Sequence, residues 1–325
     1  MTPLRVGLLS TARINHKLVE GARQAADVEV VAVGSRSRER AAAHASELGF
    51  EGVRVHASYD DVLADPDVDA VYVALPNGDH VAWSIRALEA GKHVLCEKPL
   101  SRRAADVARA FDVAEREGRV LAEAFMWRHH PQVTRLQELI ADGVIGEVRS
   151  VRAAFSFSLG RTGDVRLSAA LDGGALMDVG CYCVSGTRLV LGEPELVGGT
   201  QVLGGDGVDV RFAAWLRFPG DRTATIDCAF DLPARDELEI IGSAGTLFLD
   251  DPWHARRPVI DVRRGEDVDH VEVPSADPYA CELTDLAAAV RGERAPLLGR
   301  ADAEGQARVI EALYRSAAEG RAVAP

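Results

Sequence analysis

Ala90–Ser101 reads AGKHVLCEKPLS, and the order of its residues decides the architecture. Gly91 marks a helix stop, the apolar run Val94–Cys96 follows, and that run passes directly into Glu97-Lys98-Pro99. This is the pattern of a buried strand whose carboxyl end delivers an acid and an amine into a tight loop. In open parallel sheets, ligands bind in the crevice beyond the strand carboxyl ends. Pro99 holds Lys98 toward extended geometry, so the next helix waits for a cap at Ser101. A lysine fixed in such a loop can titrate, donate hydrogen bonds and support proton transfer. Taken alone, the tripeptide is equally compatible with a solvated surface lysine.

The flanking segments repeat the theme. Leu4–Leu9, Val28–Val33, Ala70–Leu75 and Arg119–Ala122 are apolar runs of the kind that form parallel strands buried on both faces. Helical periods lie between them. Ile14, Leu18, Ala22 and Ala25 share one helix face, and Arg38–Leu48 is an alanine-rich helix stopped at Gly49. Ser58-Tyr59-Asp60-Asp61 has capping-box spacing before a short helix that Pro66 ends, and Gly78–Ala90 and Ser101–Glu117 are further helices. Strands alternating with helices specify a Rossmann-like, doubly wound parallel sheet over residues 1–123.

From 124 to 325 the period changes. After a helix at Val133–Asp142, Val208, Val210, Phe212, Ala214, Leu216 and Phe218 alternate with Asp209, Arg211, Ala213, Trp215 and Arg217. Val148–Ser158, Leu196–Leu203, Thr223–Phe230, Glu237–Ile241 and Thr246–Leu249 also read as strands, with Val259–Val262 and Val268–Val273 as weaker ones. Consecutive strands without intervening helices indicate an α+β domain with a large, open, mainly antiparallel sheet. Gly174–Leu191 and two terminal helices, Ala280–Val290 and Ala301–Glu319, complete it. On a single helix, Asp178 and Tyr182 are four residues apart and share a face.

With 325 residues the chain is long enough for two cores. A formal net charge of −13 argues against nucleic-acid and anionic-membrane partners, which require a basic surface. Five cysteines without paired spacing indicate reduced thiols and a cytoplasmic protein, and no apolar run approaches a membrane span. The adjacent His129 and His130 point to opposite sides of an extended chain, so a metal centre is not expected there.

AGKHVLCEKPL, the upstream ALPNGDH, GGALMDVGCYCV and the terminal YRSAAEGRAV together resemble the Gfo/Idh/MocA family of NAD(P)-dependent oxidoreductases. Within it, the nearest likeness is to the branch of dihydrodiol dehydrogenases, xylose dehydrogenases and glucose–fructose oxidoreductase. The resemblance implies that the first strand–helix turn, Ser10, Thr11, Ala12, Arg13 and Ile14, binds the dinucleotide. The family's fingerprint glycines fall on Ser10, Ala12 and Asn15, so a search for GxGxxG fails here, although small residues and a free helix N-terminus still suit a pyrophosphate. It further implies that Leu75, Pro76, Asn77 and His80, then Glu97 and Lys98, then the aromatic–arginine pair Trp127 and Arg128, lie beside the cofactor. Where an NAD site carries a carboxylate for the ribose 2′-hydroxyl, this chain has Ser35, Arg36 and Ser37. A guanidinium and hydroxyls suit a 2′-phosphate, so NADP is expected, with NAD possible.

The family likeness also lifts Asp178 and Tyr182 above an ordinary helix-surface aspartate and buried tyrosine, Tyr182 standing where many members carry histidine. With Lys98 they form the expected catalytic set: Tyr182 as acid–base, Lys98 as the cation favouring its phenolate, Asp178 as the substrate's orienting carboxylate. The expected activity is hydride transfer between nicotinamide and a sugar-like polyol, an inositol or a dihydrodiol. A non-catalytic cofactor-binding regulator, a redox-assisted glycosidase and a tight-cofactor sugar–sugar oxidoreductase are the alternatives. Arg161, Arg166 and the loop Leu159–Leu171 are expected to shape the far side of the pocket, and the C-terminal sheet to form a homodimer or homotetramer.

Overall fold

The computed structural model describes residues 2–50, 52–160 and 163–325. Arg161 therefore lies outside the described residues. The first sheet is built from β1 (Leu4–Leu9), β2 (Val28–Gly34), β3 (Arg54–His56), β4 (Ala70–Val73), β5 (His93–Glu97) and β6 (Leu121–Ala124), all parallel, in the order β3-β2-β1-β4-β5-β6. That order is the doubly wound one, whose switch point lies between β1 and β4. Between the strands run α1 (Asn15–Ala22), α2 (Arg38–Glu47), α3 (Tyr59–Ala64), α4 (His80–Glu89) and α5 (Ala104–Glu117). Central positions such as Leu8, Val71, Tyr72, Val94 and Cys96 are buried on both sheet faces, as near-continuous apolar runs require.

Local chemistry sets most of the boundaries. Ser37 and Ser58 cap α2 and α3 by accepting from Arg40 N and Asp61 N. Two expectations change. Asn77–Asp79 forms a single tight turn, so α4 starts at His80 rather than at Gly78. The helix α5 begins at Ala104 rather than at Ser101, and the Ala104 N–H donates to the Glu311 carboxylate at 3.2 Å. The strand β3 is an addition: its three residues, Arg54, Val55 and His56, are half-buried and carry no apolar run.

The second sheet holds β7 (Val148–Ser158), β8 (Leu196–Leu203), β9 (Asp209–Phe218), β10 (Arg222–Ala229), β11 (Asp231–Gly242), β12 (Thr246–Leu249), β13 (Val259–Arg264) and β14 (Asp267–Glu272). Their order is β14-β13-β12-β11-β7-β10-β9-β8, antiparallel throughout except for the parallel pair β7–β10. β11 is longer than expected because its first half, interrupted by a register shift between Asp231 and Arg235, is polar and lacks alternation. The helices here are α6 (Pro131–Ala141) and α7 (Cys181–Leu191), and α8 (Pro278–Val290) and α9 (Arg300–Glu319) follow β14.

The chain forms two compact units. One comprises the chain up to Ser101, Ala105–His129 and Asp277–Glu304; the other comprises Arg102–Ala104, His130–Ala276 and Gly305–Pro325. A single boundary at 123/124 thus differs from this division, because α8 returns to the first unit. Leu283, Leu286 and Ala287 of α8 share one core with Leu4, Leu18, Val19, Ala22 and Val28. The approach of α8 to α1 requires Gly21, since a Cβ there would stand 2.7 Å from Ala280 N and from Tyr279 Cβ.

On α8, Glu282 is buried, neither carboxylate oxygen has a hydrogen-bond partner among the described residues, and burial, reinforced by Glu97 and Asp285, pushes its carboxyl well above the usual range. Above the unfolded value the unfolded chain ionises while the native carboxyl stays protonated, so stability falls as pH rises toward the folded value. Glu282→Gln keeps the shape without that loss. Calorimetry should show a Tm at pH 8 a few degrees above the unaltered protein and a smaller difference between pH 5 and pH 8. An unchanged difference would mean that Glu282 is ionised in the fold.

Candidate active site

In the first unit, the turn after β1 carries no glycine at its tightest point. Ser10 instead adopts φ 135°, a left-handed conformation that an L side chain rarely holds. Besides its backbone N–H bond to Gly34 O at 3.2 Å, three hydrogen bonds involving side chains hold it. Ser10 Oγ donates to Ala74 O at 2.8 Å, Ala12 N donates to Ser10 Oγ at 3.1 Å, and the buried Asn15 amide donates to Ser10 O at 3.0 Å. The missing fingerprint glycine is offset by side-chain hydrogen bonds, with Asn15 supplying one of them. Behind the turn, Ile14 stands at the N-cap of α1 without a side-chain cap bond, and the helix has no acidic residue in its first turn. The N–H groups of Asn15, His16 and Lys17 already donate to the carbonyls of Ala12, Arg13 and Ile14, so it is the positive dipole end of the helix that suits an anion.

At the end of β2, Ser35 is buried and Arg36 exposed, and no carboxylate follows Gly34 until Glu39. Ser37 is less available than expected, because its hydroxyl both caps α2 and donates to Glu39 at 2.6 Å. At the end of β4, His80 is buried with Nδ1 2.9 Å from Pro99 O and Nε2 2.8 Å from Leu75 O. Burial lowers its imidazole below the ordinary value, against the pull of the two carbonyls. Both ring nitrogens face backbone carbonyls, and the single N–H of the neutral ring donates to one of them, so His80 sits between the Leu75-Pro76-Asn77 turn and the Lys98-Pro99 turn.

That second turn is pinned on all sides. Glu97 accepts from the buried Tyr72 hydroxyl and, through its other oxygen, from Lys98 N at 3.3 Å. The Lys98–Pro99 peptide is cis, and Leu100 N donates to the buried Glu123 carboxylate at 2.6 Å. Lys98 is half-buried. Further along, Trp127 is buried, the Arg128 guanidinium lies 5.7 Å from its ring centre, and Arg128 Nη1 approaches Asp302 at 3.5 Å.

In the second unit, Gly173-Gly174 opens the other cluster. Gly174 has φ 128°, and a Cβ on it would meet Asp209 Oδ1 at 2.1 Å. The space is taken by a cap invisible in the sequence. Buried Asp209 accepts from Leu176 N at 2.7 Å and from Tyr314 Oη at 2.8 Å, and burial raises its carboxyl to about 6. Leu176–Gly180 is a π-helical turn, and α-geometry begins only at Cys181. The expected uninterrupted helix is thus corrected: across this turn the hydrogen-bond period is five residues, so Asp178 and Tyr182 are not stacked by plain α-helical spacing. Asp178 is held by Arg166, whose Nε donates to it at 2.7 Å, and Asp164 braces the same guanidinium at 3.2 Å. Arg166, expected only at the pocket's far side, orients the Asp178 carboxylate. Tyr182 is buried, edge-on to Phe155 at 5.5 Å and tilted against Trp253 at 5.9 Å. Neither aromatic partner carries a local sequence signal that singles it out.

A doubly wound sheet with a first turn suited to an anion and a pinned lysine turn, followed in the chain by a π-turn and helix with a braced carboxylate and a walled tyrosine beside a large open sheet, defines a dinucleotide-dependent oxidoreductase class. Residues 4–125 match the NAD-binding Rossmann fold of the Gfo/Idh/MocA oxidoreductases, and residues 133–248 match that family's C-terminal domain. This chain belongs to the Gfo/Idh/MocA family. It is 40% identical to D-xylose 1-dehydrogenase (NADP(+)) 2 of Haloferax volcanii, over 98% of both chains. A 3-ketoreductase from Actinomadura kijaniata, solved with NADP and TDP-benzene, superposes with a TM-score of 0.90 at 33% identity, covering 97% of this chain and 98% of that one. An aldose–aldose oxidoreductase from Caulobacter crescentus, solved with glycerol, gives 0.91 at 28% identity, covering 99% and 100%.

Proposed function

We propose that this protein is an NADP-dependent oxidoreductase acting on a secondary or hemiacetal hydroxyl of a sugar-like polyol, or on the corresponding carbonyl. The observation that carries the reading is the fixed lysine turn after β5 in a chain similar, end to end, to an NADP-dependent xylose dehydrogenase. The cofactor supplies the hydride acceptor or donor. The chain's own residues handle the proton and the substrate's orientation: Tyr182 gives or takes the hydroxyl proton, Lys98 favours the phenolate, and Asp178, aligned by Arg166, accepts a neighbouring hydroxyl. Trp127 and Arg128 are assigned to the nicotinamide side, with Leu75, Pro76, Asn77 and Glu97. The solved forms of the ketoreductase include one with a tyrosine replaced by phenylalanine and others with a lysine replaced, the residue types given these roles here. Formation of reduced nicotinamide, followed by absorbance with NADP or NAD across aldoses, inositols, keto-sugars and dihydrodiols, tests the proposal. No turnover across that panel would overturn it.

The preference for NADP rests on Arg36. Arg36→Ala should weaken NADP binding more than tenfold, since one charge-assisted pair contributes about 1.5–3 kcal/mol, and should leave NAD binding nearly unchanged. Equal affinity of the unaltered protein for both cofactors would remove the assignment. A second reading, a retained cofactor cycling between two sugars, is favoured by the likeness to the aldose–aldose enzyme; cofactor surviving desalting distinguishes it. We assign the protein to the cytoplasm, consistent with its five unbridged thiols, and among the described residues no helix is long and apolar enough to cross a membrane. Self-association through the open sheet, where Trp215, Val202 and Leu203 are exposed, is part of the proposal.

A further inference from the structure

The Asn15 amide nitrogen that donates to Ser10 O also lies 3.0 Å from His44 Nε2, on α2. Asn15 is fully buried and its Oδ1 has no partner, so its orientation is set by these two contacts alone among the described residues. An amide N–H can be received at Nε2 only when that nitrogen carries a lone pair, which puts the ring proton on Nδ1, facing Glu47 at 3.6 Å. Ser10, the residue in a left-handed conformation, is thus held from behind by a histidine in one particular protonation state.

We propose that His44 is a positioning residue for the cofactor-binding turn, and that its protonation releases the Asn15–Ser10 contact and weakens dinucleotide binding. This rests on the reading that the Ser10–Ile14 turn receives the cofactor's phosphates. Protonated at Nε2, His44 would set a donor against the Asn15 amide. Asn15 must then rotate. Turning its Oδ1 to the histidine places a carbonyl against Ser10 O, and turning away loses that bond outright. Either way the strained residue loses one of its three side-chain-mediated supports. Burial lowers the imidazole's proton affinity, so the neutral form holds at neutral pH and is lost as the pH falls below the ordinary imidazole range. The charged groups acting on His44 are Glu47 on its own helix and His16, whose ring is edge-on at 5.6 Å, on α1. Of the strands behind α2, β3 carries Arg54 and His56, both paired with Asp65, and β2 carries only the exposed Glu29.

Calorimetric titration with NADP between pH 5 and 8 tests this on the unaltered chain and on three variants. His44→Gln offers an acceptor that does not titrate, His44→Phe offers none, and Asn15→Ala removes the link. The ligand's own 2′-phosphate titration is common to all forms and cancels in their ratios. Affinity of the unaltered protein relative to His44→Gln should fall roughly tenfold toward the acid end, the range of one buried hydrogen bond. His44→Phe should bind roughly tenfold more weakly at pH 8, with the change in KM for NADP rather than in kcat. A weakened Asn15→Ala beside an unaltered His44→Phe overturns the role of His44 alone. Indifference of both variants overturns the turn's role and the proposal together. Should His44→Phe fail to fold, a constant ratio of the unaltered protein to His44→Gln across the pH range overturns it equally.

Discussion

Tyr182→Phe is expected to lower turnover by two to four orders of magnitude while leaving the fold and cofactor affinity intact, the range that a positioned acid–base typically contributes. The side chain is buried between Phe155 and Trp253, so its ring is held by packing and the variant keeps every aromatic contact. Only one oxygen is lost. If that oxygen handles the proton, the oxidation rate of the unaltered enzyme rises with pH as the base loses its proton, and this limb disappears in the variant. The profile should be measured with a substrate whose hydride step limits turnover, checked by deuterium at the reacting carbon. A variant with an unchanged profile and rate would take Tyr182 out of the chemistry and leave Lys98 as the base.

Lys98→Met should cost at least a hundredfold in kcat and leave NADP affinity within a few-fold. The turn should survive the change, because three contacts that brace it are made by backbone atoms and neighbouring side chains. Lys98 N donates to Glu97, Pro99 O lies 2.9 Å from His80 Nδ1, and Leu100 N donates to Glu123. The loss can therefore be assigned to the charge rather than to a collapsed loop. Binding calorimetry and steady-state kinetics on one preparation separate the two. A near-normal rate on the best substrate would show that the lysine serves only structure.

The parallel strands of the first unit were legible because burial on both faces demands unbroken apolar runs, and Val94–Cys96 is such a run. The alternation of β9 was equally plain. What failed to show were features made by residues far apart in the chain. β3 has three half-buried residues and no periodicity to detect. Asp209 sits in the alternation where a solvent-facing residue is expected, yet it is buried because it caps Leu176, 33 positions away, and binds Tyr314. Lys98, Asp178 and Tyr182 were read from motif context, but the π-helical turn before Cys181 and the grip of Arg166 on Asp178 were not, since neither leaves a pattern of spacing. The absent glycines of the first turn misled in the opposite direction: the position remains left-handed, and Ser10 fills it with help from Asn15 and Ala74.

The return of α8 to the first unit has a consequence for how the protein is made. When a ribosome has released the chain through His129, the β1–β6 sheet has all its strands, but the strip formed by Leu4, Val19, Ala22 and Val28 still lacks Leu283, Leu286 and Ala287. About 150 residues must follow before α8 emerges, which at roughly 5–20 residues per second is on the order of ten seconds. During that interval an apolar surface belonging to the nucleotide-binding half is bare, and a fragment ending near residue 130 keeps it bare permanently. Excised alone, that half should bind hydrophobic dyes, aggregate and be held by chaperones. Supplying the α8 segment, as a separate peptide or a fused tail, should make it behave as a folded body.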